Sequence, residues 1–136
     1  MKKRILTVDP SATLRNTLHV ILTAAGYHVD GAGSIALAKE AVQLYNYDFV
    51  LVELNGYETH QGLDLLYHVR RNNNPTVMVM ALTNDDSTAS KIGFFGRGGD
   101  DYLTKPFHRE ELLARISAIM NRHKRVNDAY PDGITD

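Results

Sequence analysis

The chain of 136 residues contains no cysteine, which excludes a disulfide framework, a thiol nucleophile and a zinc–thiolate site. An excess of one charge sign is also missing. Net charge is -1, so composition gives no sign of a nucleic-acid-binding surface or an anionic-membrane ligand. No apolar run approaches transmembrane length. The basic opening Met1-Lys2-Lys3-Arg4 is followed only by a short strand-like run before Asp9 and Pro10, too little for a signal peptide. Cytoplasmic residence, without membrane contact, is therefore expected. The six histidines are scattered, and the loop pair Glu58 and His60 has no third ligand to make a zinc site. Gly93, Gly96, Gly98 and Gly99 gather without a P-loop lysine, which points to flexibility rather than a phosphate cradle. No Ser-His-Asp or paired-carboxylate catalytic set stands out. What remains is ordinary for one globular domain with a single core: 43% hydrophobic and 23% charged residues.

Short apolar runs alternate with amphipathic stretches. Ile5-Leu6-Thr7-Val8 reads as a buried strand. A helix from about Ser11 follows, with Leu14, Leu18, Ile21, Leu22 and Ala25 on one face and Gly26 as its stop. Tyr27 to Asp30 reads as an edge strand. Ser34 can cap a second helix that turns Ile35, Ala38, Val42 and Tyr45 inward. Phe49-Val50-Leu51-Val52 is the third strand, and Leu63, Leu66 and Val69 mark the third helix. Residues 76–82 (TVMVMAL) form a continuous apolar run, as expected of a strand buried on both faces. A fourth helix is expected over 86–95 (α4) and a fifth strand around 102–103 (β5). Leu112, Leu113, Ile116 and Met120 line a final helix over 112–120 (α5). Residues 1–125 make the folded domain, and 126–136, polar with Pro131 and Gly133, read as a tail or truncated interdomain linker.

Such βα alternation at this length implies an α/β fold: a doubly wound, five-stranded parallel sheet with helices on both faces. Ligands of such sheets sit beyond the carboxyl ends of the strands, where strand order reverses. With the order 2-1-3-4-5, the flanking strands end at Asp9 and Glu53. The fourth ends near Thr83, and the fifth runs into Lys105-Pro106. Two acids, a hydroxyl and an amine are thus expected to share one crevice.

Four segments carry a family resemblance: ILTVD (5–9), YDFVLVE (47–53), MALT (80–83) and GDDYLTKPF (99–107). In this order and spacing they resemble the receiver domains of bacterial two-component response regulators, over about residues 4–124. The resemblance implies a flavodoxin-like (βα)5 receiver. It places Glu53 where the phosphoacceptor aspartate stands, Thr83 and Tyr102 as the switch pair, and Lys105 as the phosphate-contacting lysine. Three departures follow. Pro10 stands where the family has a second acid that contributes to a magnesium site. Glu53 keeps the charge of aspartate but moves it outward by about 1.5 Å, one C–C bond. The loop 54–61 (LNGYETHQ) is without the usual proline and is one residue longer before Gly62. The metal set implied by the family reduces to Asp9, Glu53 and the Asn55 carbonyl. Since Mg²⁺ demands near-octahedral oxygen ligation, it should bind weakly or not at all, and no other cofactor is expected.

Simpler roles exist for each residue. Glu53 alone reads as a solvated acid, Asp9 as a helix cap beside Pro10, and Tyr102 as a core aromatic. Lys91, Asp100, Asp101, Glu111, Arg115 and Arg122 resemble the charged set with which the OmpR-like winged-helix branch pairs its receivers. There Lys91 would meet Glu111, Asp101 would meet Arg115, and Asp100 would meet Arg122 across a two-fold axis. The resemblance therefore implies a homodimer through the α4-β5-α5 face, although Glu111 and Arg115 also form an ordinary i,i+4 pair. The expected function is non-enzymatic: an atypical receiver acting by phosphorylation-independent protein–protein interaction. Two alternatives stand beside it. One is a conventional phosphoryl-accepting receiver that uses a neighbouring acid. The other is the front part of a DNA-binding transcription factor, whose receiver makes no nucleic-acid contact itself. A histidine kinase or an output domain is the implied partner.

Overall fold

A computed structural model describes residues 2–59, 61–73 and 75–122. The expected tail at 126–136, its boundary at 125, His60 and His123 lie outside the described residues. The elements alternate as β1 (Arg4–Val8), α1 (Ala12–Ala24), β2 (His28–Ala32), α2 (Ile35–Leu44), β3 (Phe49–Val52), α3 (Gly62–Asn72), β4 (Met78–Thr83), α4 (Thr88–Gly96), β5 (Asp101–Thr104) and α5 (Arg109–Met120). The strands form one parallel sheet in the order β2-β1-β3-β4-β5, the doubly wound arrangement expected from the alternation.

Successive strand residues face opposite sides of the sheet, and two apolar clusters result. On one side Leu6, Val8, Val50, Val52, Val79 and Ala81 pack against α2, α3 and α4 through Ala38, Val42, Leu65, Val69 and Phe94. On the other, Ile5, Phe49, Leu51, Met80 and Leu82 pack against α1 and α5 through Leu18, Leu22, Leu112, Ile116 and Ile119. Each of the larger side chains (Val, Leu, Ile, Phe, Met) contributes about 1.5–3 kcal/mol when fully buried.

Helix starts follow their caps. Ser11, Ser34 and Ser87 have extended backbones and accept from the N–H of Leu14, Leu37 and Ser90, the usual N-cap arrangement. The cap of α1 is thus Ser11 rather than Asp9, and α4 starts at Thr88, later than the expected 86, because Ser87 caps it. Two expected inward residues face solvent. Tyr45 is 48% exposed because α2 ends at Leu44 and the extended backbone of Tyr45 breaks the helical periodicity. Ala25 likewise falls beyond α1 and is exposed.

Register positions the crevice. Val8 lies opposite Val52 in the β1–β3 ladder, so the next residues, Asp9 and Glu53, leave the sheet side by side. Glu53 N–H still donates to the Val8 carbonyl at 2.8 Å, and Lys105 N–H to the Thr83 carbonyl at 2.8 Å.

Candidate functional site

Asp9 and Glu53 are 4% and 5% exposed, and Lys105 stands between them. Its Nζ lies 2.8 Å from Asp9 Oδ2 and 2.9 Å from Glu53 Oε1. The remaining carboxylate oxygens are also engaged. Asp9 Oδ1 accepts from Ser11 N–H at 2.9 Å, while Glu53 Oε2 accepts from Leu54 N–H at 2.7 Å and Asn55 N–H at 3.3 Å. Asp9 therefore braces the start of α1 and holds Lys105 at once, and Glu53 is not a solvated surface acid. Burial alone would lower the Lys105 pKa, but hydrogen bonds and charge from Asp9 and Glu53 outweigh it and lift it above the ordinary lysine value. Lys105 is thus a fixed cation.

The loop after β3 closes over this group. Tyr57 turns inward and its hydroxyl lies 2.7 Å from the Glu53 carbonyl and 3.2 Å from the Val8 carbonyl, so one phenol ties the ends of β1 and β3. Burial, then the charges of Asp9 and Glu53, push its pKa well above the ordinary tyrosine value. Gly62, at the start of α3, lies against the same stretch of backbone: a Cβ there would meet the Glu53 carbonyl oxygen at 2.4 Å. A Cβ on Gly56, whose φ is +93°, would come within 3.3 Å of Pro10 Cγ, so the loop rests where the family has its second acid. Sequence reading missed Tyr57; an aromatic following glycine in an otherwise polar loop was the available signal.

Thr83 is fully buried, and its Oγ1 accepts from Asp85 N–H at 3.2 Å. Tyr102 is turned in and 9% exposed. Its ring meets Phe94 edge-on at 5.8 Å, its hydroxyl donates to the Asp85 carbonyl, and Ser90 Oγ is 3.2 Å away. Asn55 reaches the same loop, with Nδ2 3.4 Å from Asp85 Oδ2. Thr83, Tyr102 and Asn55 thus converge on the 84–87 loop, beside the Asp9–Lys105–Glu53 cluster.

The charged set has partners within the chain. Asp101 accepts from Arg115 at 3.1 and 3.2 Å, and Arg115 also reaches Glu111 at 3.5 Å. Asp100 is held by Arg70 at 2.8 Å and by Val79 N–H at 2.8 Å. Lys91 Nζ lies 5.8 Å from the centre of the Tyr102 ring, and Arg122 is exposed. Arg70, which also donates to the Val77 and Gly98 carbonyls, was not singled out from sequence.

Among the described residues, no helix is long and apolar enough to cross a membrane, and no three His, Cys, Asp or Glu side chains form a metal-holding group. The sheet order, the buried acid pair at its switch point and the lysine at the end of β5 define a receiver. Residues 5–117 match the response regulator receiver domain family, and the chain belongs to it.

Its relatives include the transcriptional regulatory protein PhoP of Escherichia coli (strain K12), 38% identical over 123 residues, 88% of this chain and 53% of PhoP. The cell cycle transcriptional regulator CtrA of Caulobacter vibrioides is 33% identical over 126 residues, 89% of this chain and 52% of CtrA. Both support the resemblance to the OmpR-like branch. The chain spans about half the length of these curated relatives. Among solved structures, a two-component response regulator from Clostridium difficile superposes with a TM-score of 0.84 at 26% identity, covering 90% of this chain and 98% of that one.

Proposed function

We propose that this receiver works without aspartyl phosphorylation at its acceptor position and signals by protein–protein interaction rather than by catalysis. The observation that carries this reading is the closed charge group: Lys105 Nζ at 2.8 and 2.9 Å from Asp9 and Glu53, with Glu53 Oε2 held by two backbone N–H groups. Phosphoryl transfer needs a nucleophile positioned in line and a cation to neutralise the moving group. Here the carboxylate at position 53 is drawn back onto its own loop. The residues fit magnesium poorly. Asp9, Glu53 and the Asn55 carbonyl would hold it and supply charge neutralisation, but each carboxylate oxygen already has a donor and Pro10 contributes none.

The inward Tyr102 supports a crevice that holds its switch side chains in one arrangement without a phosphoryl group. A carboxylate carries less charge than the nearly two negative charges of a phosphoryl group, so Glu53 imitates part of that signal. The half-length match to transcriptional regulators favours a second reading, in which the chain is the regulatory part of a cytoplasmic DNA-binding protein. The two readings are compatible. Homodimerisation through α4, β5 and α5 belongs to both.

Treatment with acetyl phosphate and Mg²⁺ followed by intact mass decides the chemistry. The expected result is an unmodified chain, and no Mg²⁺-dependent amide shifts at Asp9, Glu53 or Asn55. A stoichiometric phosphoryl adduct mapped to Glu53 would overturn the reading, and one on a neighbouring acid would establish the conventional alternative. Glu53→Asp combined with Pro10→Asp should restore acceptance; failure of the double variant would assign part of the block to the 54–61 loop.

A further inference from the structure

A groove of about 720 Å³ runs along α3, lined by Leu63, Asp64, Tyr67 and Arg71, by Lys39 of α2 and by Arg97 just past α4. Its lining includes none of Asp9, Glu53, Thr83, Tyr102 or Lys105 and none of the charged set on α4, β5 and α5. Three of its cations have no carboxylate partner among the described residues: Lys39, Arg71 and Arg97. Arg70, which also borders the groove, is spent on Asp100 and two carbonyls. In a chain of net charge -1, this is a local concentration of unneutralised positive charge, opposed within the groove by Asp64 alone.

The cations are placed rather than loose. The Arg71 guanidinium carbon lies 5.1 Å from the centre of the Tyr67 ring, a cation–π distance. Arg97 Nη1 donates to the Gly93 carbonyl at 3.2 Å. A Cβ at Gly93 would lie 3.4 Å from that nitrogen and 4.0 Å from Leu63 Cδ1, so the bare glycine backbone leaves room for Arg97 to lie back over α4 beside Leu63. Tyr67 itself is 62% exposed, an aromatic surface flanked by charge.

We infer that this groove docks an acidic polypeptide segment of another protein, with an apolar or aromatic residue on Tyr67 and carboxylates on Lys39, Arg71 and Arg97. Charge complementarity selects an anionic partner. The cations come from α2, from α3 and from the residue that ends α4, and the first turn of α3, which borders the groove, already carries the Asp64 carboxylate, so that helix start is poorly suited to a single phosphate. A long nucleic acid needs many phosphate contacts, and the chain as a whole has no excess of positive charge to supply them, whereas a short peptide needs the groove cations alone.

The chain has no tryptophan, so a synthetic peptide with glutamates around one tryptophan gives an unambiguous fluorescence signal. Titrated into the full chain, it should bind in a salt-sensitive way, with amide shifts at Lys39, Tyr67, Gly93 and Arg97. Arg71→Glu with Arg97→Glu should weaken binding by about tenfold or more, the effect of replacing two attractive contacts with repulsive ones, while amides of the sheet stay in place. Lys3→Glu, distant in sequence and outside the groove, should leave binding unchanged. The inference is overturned by absent binding, by equal binding of the glutamine analogue, by shifts mapping elsewhere, or by tighter binding of a single-stranded oligonucleotide to the same residues. Phosphorylation of Glu53 would leave this groove untouched, so the two proposals fail separately.

Discussion

Replacing Lys105 with methionine removes the cation that pairs with two nearly buried carboxylates and keeps most of the aliphatic volume. The wild-type ammonium makes ion pairs of 2.8 and 2.9 Å with side chains that are each 6% exposed, while its own side chain is 22% exposed. Breaking a fully buried pair by removing one partner costs about 3–5 kcal/mol. Partial solvent access to Lys105 lowers that figure, and the backbone donors to Asp9 and Glu53 remain in the variant. A loss of about 2–3 kcal/mol at neutral pH follows, a large share of the roughly 5–15 kcal/mol that holds a typical domain together.

The sign of the pH dependence separates this account from simple loss of packing. In the wild type the folded-state pKa of Lys105 is raised, so its contribution is complete below the unfolded lysine value and fades only at strongly alkaline pH. In Lys105→Met two like charges face each other, and uptake of one proton relieves them. The deficit relative to wild type should therefore be greatest near neutrality and shrink as pH falls through the carboxylate range. Urea unfolding of both proteins at about pH 7 and about pH 4.5, compared at equal m-value, measures it. An equal deficit at both pH values would mean lost packing, and no deficit would mean that the charge group contributes nothing to the fold; either refutes the reasoning.

Three further outcomes test the surroundings. Tyr57→Phe removes the hydroxyl that joins the ends of β1 and β3 and should cost about 1 kcal/mol. Because burial and the nearby acids raise the Tyr57 pKa, the wild type should lose stability as pH rises past the unfolded tyrosine value, and the variant should lose less; denaturant midpoints between neutral and alkaline pH check both points. Gly62→Ala drives a Cβ against the Glu53 carbonyl and the Leu54 Cα and should destabilise by about 1–3 kcal/mol, the usual range for overpacking against backbone, read as a fall in thermal midpoint. Ile92, 68% exposed on α4, should carry the proposed dimer; Ile92→Asp should abolish association in sedimentation without lowering the unfolding midpoint, and an unchanged dimer would place the interface elsewhere.

The sheet, its order and the Asp9–Glu53–Lys105 convergence were legible because strand periodicity and switch-point geometry constrain where a βα chain can end. A run such as Val50 to Val52 can only be buried from both sides, and the residue that follows it must emerge at the carboxyl end of the sheet. Long side chains obey no such rule. An aromatic after glycine in a polar loop marks Tyr57 as unusual, but that signal does not say whether the ring points to solvent or folds back so that its hydroxyl reaches the Val8 carbonyl. Arg70 reads as an exposed helical cation until the turn after α4 brings Gly98 and Asp100 beneath it.

The same difficulty explains the charged set on α4, β5 and α5. Sequence motifs can state that Asp101 and Arg115 attract, but not whether the pair closes within one chain or across a two-fold axis. Here it closes within the chain, at 3.1 Å. Exchanging that contact for an identical one across an interface would gain little, since the same pair is broken and remade, and exposed pairs contribute only about 0.2–1 kcal/mol each. The proposed association would therefore have to draw on surface that the monomer leaves unsatisfied, which on this face is the apolar side of α4 at Ile92 and Phe95, 68% and 46% exposed. In the proposed dimer the charges would serve register: two copies with Asp101 and Arg115 already neutralised could approach without repulsion in the alignment that keeps those pairs intact. Arg115→Glu would disturb the monomer and the dimer together, so substitution at Ile92 is the cleaner probe of the interface.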